Sequence, residues 1–140
     1  MYSGIVLKYN DKCLLCKRSD KYTHPNKWFI PAGKIEVGET PRESAVRELF
    51  EETNIEISES DIDFIGTVPV IDEDGNPDGD FIYIFVVDLV RKLTPNLSVA
   101  IDGYEHTECG YFTIQELESL GLDIELHKII KKYFNKVDFF

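Results

Sequence analysis

Basic residues are scarce in this chain. Fifteen Lys and Arg stand against 26 Asp and Glu in 140 residues, a formal net charge of −11. That balance excludes broad electrostatic binding to extended nucleic acid or to anionic membrane, both of which need basic faces. Cysteine is scarce as well: Cys13, Cys16 and Cys109 make no even disulfide framework and read as buried free thiols. A zinc set joining Cys13 and Cys16 to His106 and Cys109 is disfavoured by position. The first two lie in the strand-like run KCLLCKR, and residues three apart on a strand point to opposite faces. Long hydrophobic runs are missing too; none approaches the ~20 residues that span a bilayer. No secretory pattern opens the sequence, so a cytoplasmic location away from membranes is expected.

What is present suits one folded domain over residues 1–140. Hydrophobic residues make up 43% and charged residues 29%, an ordinary globular balance. Residues 3–9 and 12–18 are strand-like, with a turn at Asn10-Asp11. The aromatic run Trp28-Phe29-Ile30 ends at Pro31, and Ala32-Gly33 is expected to turn the chain. Residues 63–71 and 80–90 read as a long hairpin across the acidic loop DEDGNPDG, which lacks the spacing and closing Glu of an EF-hand. Short strands are expected over 97–101 and at Tyr111-Phe112. Thr113 and Glu116 form a capping box before a helix over about 114–120, Gly121 breaks it, and an amphipathic helix follows over about 123–135. The order of strands and helices predicts an α/β (α+β) sandwich on a mixed sheet.

The helix expected over 41–53 carries the chemistry. Thr40 suits the N-cap, Pro41 the first helical position, and Glu43 completes a second capping box; Asn54 can end it left-handed. At about 100° per residue, Ala45, Val46, Leu49 and Phe50 form one apolar arc. Glu48, Glu51 and Glu52 fill the adjoining arc, with Arg47 at its edge. Carboxylates at i, i+3 and i+4 repel one another. A divalent cation relieves that repulsion, and hard oxygen ligands point to Mg²⁺, with Mn²⁺ as a substitute. By itself such a cluster also fits a solvated charged face.

The flanking sequence changes the balance. It runs Gly33-x5-Glu39-x7-Arg47-Glu48-Leu49-x-Glu51-Glu52-x-Asn54-Ile55. This resembles the box of the Nudix hydrolase family, in its small MutT-like form, with Asn54 standing where the family has Gly. The resemblance implies an α/β/α sandwich, a mixed sheet with helices packed on both faces. It also implies hydrolysis of the diphosphate linkage in a nucleoside diphosphate derivative: a modified nucleoside triphosphate, ADP-ribose or a nucleotide sugar. Glu48, Glu51 and Glu52 would then hold the metal with the backbone carbonyl of Ala32. Arg47 would orient those carboxylates, and Glu39 would fix the loop before the helix. The segment GYEHTECGYF resembles the family's later loop and adds Glu105, His106 and Glu108, so the general base lies among Glu48, Glu105, His106 and Glu108. Arg18, Lys27 and Lys34 could meet phosphate oxygens, and Trp28, Tyr22 or Phe29 could stack on a base, although Trp28 and Phe29 equally suit the core. Pro69 lies near a position that ADP-ribose-cleaving members mark with proline, and equally suits a strand at a sheet edge. The implied partner is a small nucleotide, and the protein is a monomer or a homodimer. A non-catalytic module that senses nucleotide is the alternative, although such modules usually lose box carboxylates that this chain keeps.

Overall fold

The computed structural model describes residues 1–22 and 24–135. Strands β1 (Tyr2–Tyr9) and β2 (Lys12–Arg18) form the expected hairpin, turning where Asn10 takes a positive φ of 54°. β3 (Trp28–Phe29) pairs with the end of β2 on the side that β1 holds at its start, and β4 (Ala32–Lys34) pairs antiparallel with the start of β1. β5 (Asp63–Ile71) and β6 (Pro77–Leu89) are the long hairpin, and β7 (His106–Thr113) pairs with β2. The main path runs β3-β2-β1-β6-β5, and β1 lies parallel to β6, so the sheet is mixed. β5 is the last strand on that path, which gives Pro69 an edge position where a missing N–H is tolerated.

Alternation along β1 divides the core. Ile5 and Leu7 join Leu14, Ala45, Leu49, Ile62 and Phe85 beneath helix α1 (Pro41–Thr53). Val6 points the other way, with Cys13, Leu15, Ile84 and Val86, beneath α2 (Ile114–Ser119) and α3 (Ile124–Phe134). Helices therefore cover both faces, as period-two patterning in a doubly covered sheet requires.

Four expectations are corrected by the folded chain. Ala32-Gly33 is not a turn but part of β4, recruited by the edge of β1. Residues 97–101 form turns rather than a strand: Ser98 Oγ donates to Asn96 Oδ1 at 2.7 Å, and the Ala100 N–H donates to the Asn96 carbonyl at 3.1 Å. The buried positions of α1 are Ser44, Ala45, Leu49, Glu52 and Thr53, so the inward face is shifted away from Phe50 and towards Glu52. Lastly, Cys16 and Cys109 are not free thiols. They face each other across the β2–β7 ladder as a disulfide, and only Cys13 remains free and buried. Their sequence separation of 93 left no local sign of the pairing. With Cys13 on the other face of the sheet, the zinc set cannot assemble.

Candidate active site

Helix α1 begins as its sequence dictates. The Thr40 hydroxyl accepts from the Glu43 N–H at 3.1 Å, and Glu43 returns the bond to the Thr40 N–H at 3.0 Å. Its far end is held by the chain that follows β6. The Thr53 carbonyl accepts from the Asn96 N–H and the Glu51 carbonyl from the Asp102 N–H, at 2.9 and 2.7 Å. Asn54 closes the helix at φ 65°, its N–H bonded to the Phe50 carbonyl. The position that departs from the family's glycine thus keeps the left-handed geometry.

Arg47 gathers the acidic residues before the helix and along it. Its Nε and a terminal nitrogen hold the two Glu39 oxygens at 2.6 and 2.9 Å. Its other terminal nitrogen reaches Glu48 Oε1 at 2.9 Å and Glu51 Oε2 at 3.0 Å. The Lys34 carbonyl accepts a further bond at 3.0 Å. Glu39 also accepts from the Glu36 N–H at 2.9 Å, which closes the loop between β4 and α1. The hydrogen bond from Arg47 holds the Glu39 carboxyl below its ordinary range, and in return Glu39 makes Arg47 harder to deprotonate.

Glu48 and Glu52 sit deeper. Gly33 approaches the Glu48 carboxylate so closely that a Cβ at position 33 would overlap it. Burial, then the charge of Glu52, pushes the Glu48 carboxyl up to about 7. Glu52 is only 2% exposed, and its pKa is raised by burial first and then by the charge of Glu105; Arg18 and the nearby Ala32 N–H act the other way. One of its oxygens lies 2.7 Å from His106 Nε2, while Oε2 is buried without a hydrogen-bond partner. Burial, followed by the Arg18 charge, lowers the His106 pKa. Both shifts favour a neutral Glu52–His106 pair when no cation is near.

The remaining candidates divide. Arg18 and His106 are partners across β2–β7, where the register skips Thr107 and kinks the ladder. Such a bulge re-aims the residues beside it, here towards Glu52. Glu105 acts on Glu52 through its charge. Glu108 is exposed opposite Lys17, and alternation along β7 sets it on the face away from α1. Trp28 packs edge-to-face on Phe112 at 5.1 Å within the core beneath α2 and α3, so it serves packing. Lys34 offers its carbonyl to Arg47, and its side-chain charge acts on Asp80. Sequence patterning gave no hint of Asp102, whose N–H secures α1, because only the folded chain brings it there.

Among the described residues, no group of three or more His, Cys, Asp or Glu stands ready in metal-binding geometry. Glu48 and Glu51 face Arg47, and Glu52 faces His106. The donor set nevertheless fits a hard divalent cation. A buried carboxylate oxygen lacks a partner, and a second carboxylate rests in a cradle that only glycine leaves open. Two concavities, of about 230 and 460 Å³, lie at the opposite end of the β2–β7 ladder around Asp11 and Thr113, and none of the site residues lines them.

A model of the NUDIX domain matches residues 2–134. The chain belongs to the Nudix family. One 52-residue stretch is 42% identical to the 8-oxo-dGTP diphosphatase of Escherichia coli K12, covering 37% of this chain and 40% of that protein. Matches to the curated relatives span 40% or less of each relative's length. Among solved Nudix structures, a MutT NUDIX hydrolase from Burkholderia pseudomallei superposes with a TM-score of 0.73. It is 19% identical, over 93% of this chain and 94% of that one. The NUDIX domain of Shewanella oneidensis NrtR, solved with ADP ribose, also gives 0.73. It is 16% identical, over 96% and 87%. At such identities the likeness shows the Nudix fold: a mixed sheet between helices.

Proposed function

We propose that this Nudix domain hydrolyses the diphosphate linkage of a small nucleoside diphosphate derivative, with Mg²⁺ or Mn²⁺ held by Glu48, Glu51, Glu52 and the Ala32 carbonyl. The observation that carries the reading is Glu52, a buried carboxylate with an oxygen lacking any partner, on the helix whose Glu48 and Glu51 are collected by Arg47. A bound cation would supply charge neutralisation of the diphosphate and a lowered pKa for water. Arg47 restrains Glu48 and Glu51, and Glu39 anchors Arg47. His106, set against Glu52 at 2.7 Å, orients that carboxylate. Glu105 is the candidate base that the geometry supports over Glu108, since its charge reaches Glu52 while Glu108 lies on the other face. Arg18, beside His106, is the candidate for a substrate phosphate.

The net charge of −11 supports small nucleotides over extended nucleic acid as partners. No helix among the described residues is long and apolar enough to cross a membrane. A cytoplasmic setting is part of the proposal, and there the Cys16–Cys109 pair would be kept as thiols.

The test is a panel of nucleoside diphosphate derivatives with Mg²⁺, reading released phosphate after phosphatase coupling. Glu52→Gln should lower turnover by roughly 10²-fold or more, the scale set by losing several kcal/mol of charge stabilisation, while circular dichroism stays unchanged. Wild-type turnover in that variant would sink the metal assignment. Nucleotide binding with no turnover on any compound would replace the hydrolase with a sensor module.

A further inference from the structure

Tyr22 lies in the loop after β2 and Tyr104 in the turn before β7, two residues from His106, and none of the roles proposed for the carboxylate site uses them. Their ring centroids are 5.8 Å apart, with planes inclined at 49°. The Arg18 guanidinium lies 5.7 Å from the centre of the Tyr22 ring. Tyr104 is 62% exposed, although it sits in the 3-10 turn Gly103–Glu105, which is firmly anchored. The Asp102 N–H ties that turn to α1 at 2.7 Å, and the Ser19 N–H ties the Glu105 carbonyl to the end of β2 at 2.8 Å. Gly103 lies so close to Leu97 that a Cβ there would strike the Leu97 carbonyl. The Tyr22 N–H bonds back to the Ser19 carbonyl at 3.3 Å.

A single exposed aromatic ring needs no explanation. Here, however, a row of Arg18, Tyr22 and Tyr104 is held from two elements at once. Tyr104 is two residues from His106, hence within about 7 Å of chain from the residue that touches Glu52. A ligand whose diphosphate rests on the carboxylates would bring its nucleoside over these rings. The neighbouring charges of Asp102 and Glu105, which act on Tyr104, disfavour a second phosphate there and favour an uncharged planar group.

We infer that Tyr104, backed by Tyr22 and Arg18, is the surface on which the nucleobase of the substrate stacks; this rests on the metal-site reading above for the position of the diphosphate. Stacking on an aromatic face is tolerant of base identity, because every base has a π-face. The platform therefore selects nucleotides over diphosphates that carry no base, without choosing among bases. Tyr104 is a specificity-determining residue in this sense, and the chemistry stays with the carboxylates.

The experiment titrates ADP and inorganic pyrophosphate into the whole protein by calorimetry, with Ca²⁺ replacing Mg²⁺ to suppress turnover. Wild type should bind ADP more tightly than pyrophosphate. Tyr104→Ala should weaken ADP about 5- to 100-fold, the span of stacking on one aromatic ring, and leave pyrophosphate unchanged. Tyr104→Phe, which keeps the ring, should bind ADP as wild type does, and Tyr22→Ala should show a smaller loss of the same kind. Equal affinity of wild type for both ligands would overturn the platform and leave the hydrolase reading standing. A parallel loss of both ligands in Tyr104→Ala, or of ADP binding in Tyr104→Phe, would also overturn it. If wild type binds neither ligand, the platform and the metal site fall together.

Discussion

The contact between Gly33 and Glu48 shows how one missing methyl group sets up a charged site. The carboxylate occupies the volume that any other residue's Cβ would need, so backbone and acid lie closer than two side chains could. Gly33→Ala should push Glu48 off its position. We expect a loss of about 1–3 kcal/mol in stability from overpacking, together with weaker Mg²⁺ binding, read by thermal melts with and without the ion. Arg47 raises a different point, because its planar fork serves three carboxylates at once. Arg47→Lys keeps the charge and loses the fork. Its kcat/KM is expected to fall roughly 10- to 100-fold, as when residues that orient metal ligands are changed. An unchanged value would remove Arg47 from the positioning role.

Protonation follows from the same burial. The Glu48 carboxyl is raised to about 7 by burial and by Glu52, against roughly 4.3 in an unfolded chain. A raised folded-state value means that the folded form holds the proton more tightly. This contribution to stability is complete below about 4.3 and disappears as pH rises through about 7. Glu52 shifts in the same direction. Metal-free protein should therefore lose melting temperature between pH 5.5 and 8, and Mg²⁺ should restore more of it at pH 8, where the carboxylates are ionised. An equal Mg²⁺ increment at both pH values would contradict the assignment. Glu39 runs the opposite way. Its lowered pKa contributes stability above about 4.3 that is lost only as pH falls further.

At the scale of elements, α1 is a helix fixed at both ends; Asn54 marked its stop in advance, but only the start has its anchoring contacts written locally. Thr40, Pro41 and Glu43 announce the start through contacts that span three residues. Thr40→Ala should cost about 1 kcal/mol, or about 3–5 °C in melting temperature for a chain of this size. The other end depends on Asn96 and Asp102, which lie more than 40 positions from the carbonyls they satisfy. No local pattern marks such partners. The same distinction explains the later loop. Its acids were legible as a group, but the choice between Glu105 and Glu108 needed the β2–β7 register and its skip at Thr107. Trp28 was ambiguous for a related reason: an aromatic beside a strand looks alike whether it meets Phe112 or a ligand.

Across the whole molecule, the order of elements foretold helices packed on a mixed sheet, and the family resemblance placed them on both faces. Cross-strand partners were not foreseeable, and the cysteines are the clearest case. Three thiols counted along the chain give an odd number, whereas in the folded sheet two of them meet. That bond closes a covalent ring whose ends are 93 positions apart and which contains α1, every box carboxylate and the β5–β6 hairpin. When oxidised, the protein should remain a single molecule after a protease nicks the exposed turn at Glu73–Gly75. On a denaturing gel without reductant the nicked chain would run as one band, and with reductant it would separate into two fragments. Two fragments without reductant would show that the ring is open in the protein as isolated. The fragment carrying α1 and β1–β5 would then be joined to the fragment carrying β6, β7, α2 and α3 by packing alone.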